Sequence, residues 1–82
     1  MTETQIYAEL TDVFRDVLGN DAIVLRPDTT AADVDGWDSH AHVTLVVATE
    51  MRFGIRFRTG ELEGLHNVCD FVRLIEQKRS AA

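Results

Sequence analysis

Apolar residues recur at Ile6, Leu10, Val13, Phe14 and Val17, while Glu3, Glu9, Asp12, Arg15 and Asp16 fall between them. Spacing of three to four puts the apolar set on one side of a helix and the charges on the other. Such a helix must bury its apolar side, so the chain is committed to helices packed around a shared core. Thr2 or Thr4 supplies the start, and Gly19-Asn20 supplies the left-handed residue that commonly closes a helix, which predicts a helix over about 3–18.

Residues 20–37 break this pattern. They hold the only proline, several aspartates and threonines, and Gly36, with apolar anchors at Ile23, Val24, Leu25 and Val34. This reads as a long connecting loop, and loops of this length in small domains are usually functional or pinned by their own apolar contacts. The segment from Ser39 to Phe53 contains the β-branched run Val43-Thr44-Leu45-Val46-Val47, which suits a strand as well as a helix. Its flanks favour a helix over 39–53: Asp38 is a good cap, Gly54 a good stop, and Val43, Val46, Val47 and Met51 share one face. After Ile55-Arg56-Phe57-Arg58 a short helix is expected over about 59–64, with Thr59 as its cap. Asn67 then opens a last helix over about 67–79, with Val68, Phe71, Val72 and Ile75 in a stripe, Lys78 and Arg79 near its favourable end, and residues 80–82 frayed.

The expected fold is therefore all-α: a four-helix bundle of three long helices and one short one, with a long loop between the first two. With 82 residues, 45% of them hydrophobic, the chain suffices for a single domain over 1–82 but not for separate binding and catalytic domains. The expected core is Ile6, Leu10, Phe14, Val43, Val46, Val47, Phe53, Val68, Phe71 and Ile75. Cys69 flanks the last stripe as a small buried hydrophobe, and Trp37 anchors its loop while lying close enough to Ser39 to touch a ligand or partner there.

The net charge of −6 makes nucleic acid and anionic membranes poor partners and basic protein surfaces good ones. Residues 1–38 carry nine acids and two bases, whereas residues 39–82 carry five acids and six bases. One cysteine allows no internal disulfide, no signal peptide is evident, and no apolar stretch reaches a membrane span, so a cytoplasmic monomer is expected. Hydrolase chemistry is excluded because Asp38, Ser39 and His40 are neighbours that point in different directions on a helix. His40 and His42 are two apart and His66 is distant, which argues against a metal site.

The segment Asp35-Gly36-Trp37-Asp38-Ser39, with Val43, Leu45 and Val46 after it and then Phe53-Gly54-Ile55, resembles the acyl carrier protein family over nearly the whole chain. The resemblance implies a non-catalytic carrier with Ser39 joined to a 4′-phosphopantetheine arm, whose thiol holds acyl groups as thioesters. It implies a phosphopantetheinyl transferase and acyl-loading, condensing or acyl-transfer enzymes as partners, with Asp38, His40, Trp37, Glu50 and Glu61 as partner-recognition residues. A helix N-terminus suits the added anion, because its amides are unpaired and its dipole is positive there.

The chain departs from the family pattern where His40 and Ala41 replace the usual leucine and polar residue, and where Thr44 and Met51 replace acids. Arg52, Arg56 and Arg58 add positive charge, read as a solvated loop cluster. A second helix so poor in acid points to a specialised pathway, such as polyketide or modified-lipid assembly, rather than housekeeping fatty-acid synthesis. An aminoacyl or peptidyl carrier and an unmodified interaction module are the alternatives.

Overall fold

The computed structural model of the chain describes residues 2–81. Helix α1 spans Glu3–Leu18, α2 Ser39–Phe53, the one-turn α3 Thr59–Leu62 and α4 Val68–Ala81, with a 3-10 turn at Ala31–Asp33 in the long loop. Among the described residues there is no strand, and residues 39–53 are helical between the Asp38 cap and the Gly54 stop despite their β-branched run.

Helix α1 opens with a reciprocal cap: Gln5 N–H donates to Thr2 Oγ1 at 3.2 Å, and Thr2 N–H to Gln5 Oε1 at 2.9 Å. It closes at Gly19, whose φ of 64° is the left-handed conformation expected from the sequence. Ile6, Leu10, Val13 and Phe14 are buried as their spacing predicts. Phe14 is the hub of the core, meeting the ring of Trp37 edge-on at 4.8 Å and that of Phe71 at 6.3 Å.

Three anchors predicted in the loop, Ile23, Leu25 and Val34, are buried, but Val24 is 63% exposed because the extended chain there turns alternate side chains outward. Arg15 Nε donates to Ile23 O at 2.9 Å and holds the loop against α1. The loop also ends α4: Val68 N–H donates to Thr29 O at 2.8 Å and Cys69 N–H to Pro27 O at 2.9 Å. Two helix amides that would lack partners thus find them in loop carbonyls, while Asn67 Oδ1 accepts from Asp70 N–H at 2.9 Å. Cys69 is half-buried rather than buried, since it sits where α4 meets this loop.

The buried face of α2 differs from expectation. Leu45, Val46, Thr49 and Phe53 face the core, whereas Val43 is 63%, Val47 50% and Met51 80% exposed. The helix is apolar on nearly every side, so more than one face matches a helical stripe, and the polar Thr49 misleads. Thr49 is fully buried with its hydroxyl donating to Leu45 O at 2.7 Å, which satisfies the group within its own helix and lets it act as a small core residue.

Helix α3 stops at Leu62, two residues short of expectation, and is preceded by Arg58 rather than capped by Thr59. Arg58 N–H donates to Glu61 Oε1 at 2.8 Å, so the turn is closed by a carboxylate reaching back to the residue before the helix rather than by a threonine cap. Helix α4 runs through Ala81, past the predicted end at 79, because Arg79 Nη1 donates to Phe53 O at 3.1 Å and ties down the last turn. Of the tail expected to fray, Ala82 lies outside the described residues. Replacing the hub, Phe14→Ala, should cost about 3–5 kcal/mol in urea unfolding, while Met51→Ala should change stability by less than about 0.5 kcal/mol. Comparable losses would contradict the assigned faces of α2.

Candidate functional site

The start of α2 is built from the cap outward. Asp38 has extended backbone, and its Oδ1 accepts from Ala41 N–H at 2.8 Å while its carbonyl accepts from His42 N–H at 2.8 Å. The amides of Ser39 and His40, in the same first turn, have no intrahelical acceptor. Ser39 is exposed as the first helical residue, so its hydroxyl stands in solvent beside two amide donors at the positive end of the helix.

Trp37 fixes where this helix begins. It is buried, its ring edge lies against Phe14, and its Nε1–H donates to His42 Nδ1 at 3.1 Å with the two rings stacked at 19°. Burial depresses the basicity of His42 below the usual imidazole value, and the indole bond acts in the same sense because it needs Nδ1 unprotonated. A cleft of about 300 Å3 opens beside the serine, lined by Ala31, Trp37, Asp38, Ser39, His42, Leu65 and His66.

The other residues expected to meet partners are distributed unevenly. Asp38 and His40 are exposed at the start of α2. Glu50 is half-buried, with Oε2 accepting from Phe57 N–H at 2.7 Å. Glu61 bonds Lys78 Nζ at 2.7 Å as well as Arg58 N–H, and the Lys78 contact holds its carboxyl below the usual carboxylate range. Trp37, Glu50 and Glu61 are thus engaged within the chain and lie apart from one another. The basic cluster is also split: Arg52 pairs with Glu9 at 3.0 Å and Asp12 at 3.6 Å on α1, leaving Arg56 and Arg58 exposed beyond the helix.

From the sequence, His42 and His66 are weighed only as metal ligands, and Leu65 is not singled out. The helical spacing of Ser39 and His42 placed those two within one turn, but nothing in the sequence shows that the Trp37 indole would reach His42, or that the segment before α4 would close the cleft. Among the described residues, no three His, Cys, Asp or Glu side chains assemble into a group suited to a metal ion.

His42 ties stability to pH with a definite sign. A base whose folded affinity for protons is lowered leaves the unfolded chain binding more of them, so its full contribution is present above about pH 6.5 and is lost as pH falls below that. Melting temperature should therefore drop more for the wild type than for His42→Gln between about pH 7 and about pH 5.5. Equal drops would contradict a neutral His42 in the folded state.

No protein-family model matches the sequence. The meromycolate extension acyl carrier protein of Mycolicibacterium smegmatis is 29% identical over 76 residues, covering 93% of this chain and 77% of that protein. The acyl carrier protein of Rhodococcus erythropolis is 30% identical, covering 93% of this chain and 84% of that protein. A solution structure of holo acyl carrier protein from Geobacter metallireducens superposes with a TM-score of 0.88 at 41% identity, covering 93% of this chain and 87% of that one. The helix order, the long loop and near full-length similarity agree, and the chain belongs to the acyl carrier protein family.

Proposed function

We propose that Ser39 is the residue that carries the arm, and that the whole chain serves as one carrier domain. The observation that carries this reading is the exposed Ser39 hydroxyl on the first turn of α2, beside amides with no intrahelical acceptor. Family membership brings a covalent 4′-phosphopantetheine, and the residues present fit it: a phosphodiester on Ser39 would meet first-turn amides without an intrahelical acceptor and a positive helix end, with the Asp38 carboxylate as its one acidic neighbour in the cleft. The Asp38 carboxylate is held by the Ala41 amide at the cap. When attached, the group supplies a flexible thiol that holds acyl chains as thioesters.

The chain itself is a substrate of partner enzymes and performs no bond making. A phosphopantetheinyl transferase loads it, and acyl-loading, condensing or acyl-transfer enzymes use it. No helix of the described residues is long and apolar enough to cross a membrane; we place the carrier and these enzymes in the cytoplasm, with the carrier a monomer.

The solvent face of α2 carries His40, Val43, Thr44, Val47 and Met51 and no carboxylate, while Glu50 is tied to Phe57. Charged rims chiefly set encounter rate and partner choice, so a face without acid docks poorly on strongly basic surfaces and favours dedicated partners. Relatives named for meromycolate extension support a specialised lipid pathway over aminoacyl or peptidyl cargo.

Incubation with coenzyme A, magnesium and a broad-specificity phosphopantetheinyl transferase should add the mass of one arm to the wild type and none to Ser39→Ala. A folded wild type that gains no mass would favour the unmodified interaction module. In reconstituted fatty-acid synthesis, the loaded chain should turn over at least about tenfold more slowly than the housekeeping carrier. Equal rates would contradict the specialised assignment.

A further inference from the structure

The neutral ring of His42 has a defined tautomer. Its Nδ1 accepts the Trp37 indole N–H at 3.1 Å, so its proton sits on Nε2 and that nitrogen is a donor. The residue lies three positions after Ser39, a spacing that puts the two Cβ atoms about 5–6 Å apart on the helix surface. Both line the same cleft, whose remaining walls include the apolar Ala31 and Leu65. A hydrogen bond formed there is less screened by water than one on an open surface.

We infer that His42 is a positioning residue for the arm, its Nε2–H donating to a phosphate oxygen on Ser39 while the Trp37 indole holds the ring in place. This rests on Ser39 being the attachment site. The phosphate then has donors on two sides, the amides of the first turn and the imidazole, which restricts how the arm leaves the helix. It also couples loading to Trp37: an anion at Nε2 favours the imidazolium, whereas the indole bond requires a bare Nδ1. The other titratable groups in the cleft are Asp38 from the cap and His66 from the segment before α4, with His40 adjacent on α2. Asp38 is engaged with the Ala41 amide, and His66 donates its backbone N–H to Asp70 Oδ2 at 3.2 Å.

The test compares unloaded and loaded protein by NMR, following the His42 ring, the Trp37 indole proton and the phosphorus line across pH. Loading should raise the proton affinity of His42 roughly tenfold, move the indole resonance, and make the phosphorus line follow the same titration. In loaded His42→Leu the phosphorus line should no longer follow it. His42→Gln, which keeps an acceptor for the indole and a donor for the phosphate, should restore the unloaded fold and the phosphorus position at neutral pH. A wild type that loads on Ser39 while its His42 titration stays unchanged overturns this inference alone, as does a phosphorus line that titrates identically in His42→Leu. A chain that gains no mass overturns the Ser39 assignment and this inference with it.

Discussion

Trp37 holds the start of α2 where it is. Its ring meets Phe14, a fully buried side chain of α1, at nearly a right angle, while its indole nitrogen is bonded to His42 one turn into α2. A single residue thereby joins the core, the end of the loop and the helix that presents Ser39. Without that join the first turn of α2 would be the end of a long loop and free to fray, and the alignment of amides beside the serine would be lost. The burial of one aromatic ring serves an exposed hydroxyl two residues away.

The long loop has a comparable double duty. Its apolar residues Ile23, Leu25 and Val34 close the core, and its carbonyls at Pro27 and Thr29 accept the first amides of α4. The two long helices whose beginnings matter most, α2 and α4, are therefore started by the same irregular segment. This explains how a connection so long persists in so small a protein: buried side chains and bonds to α1 and α4 pin it at several points along its length. Surface charge contributes less. The Arg52 pairs with Glu9 and Asp12 are partly exposed, and pairs of that kind are worth little each, so they orient α2 against α1 more than they stabilise it.

Much of this was legible in the sequence because the signals were local. The face of α1, its Gly19 stop, the Asp38 cap and the Asn67 start of α4 each follow from a residue type at a fixed offset, and the structure has each of them. What was missed required knowledge of what lies opposite. Helix α2 is apolar almost all round, so periodicity could not choose between the face of Val43 and Val47 and the face of Leu45 and Thr49. The choice was made by packing and by a hydroxyl satisfied inside its own helix. Likewise Glu50 and Glu61 looked like free surface acids, yet each closes a nearby turn, a use of carboxylates that composition does not reveal. The second wall of the cleft, Leu65 and His66, comes from a segment distant in sequence.

The central claim is that an anion joined to Ser39 is welcomed by the open amides at the head of α2. The most direct measurement is the backbone amide resonances of Ser39 and His40 before and after the arm is attached. Both protons should move downfield and become slower to exchange with solvent, as expected when a phosphate oxygen accepts them. Resonances that keep their positions and exchange rates after attachment would show that the phosphate points away from the helix, and would contradict it.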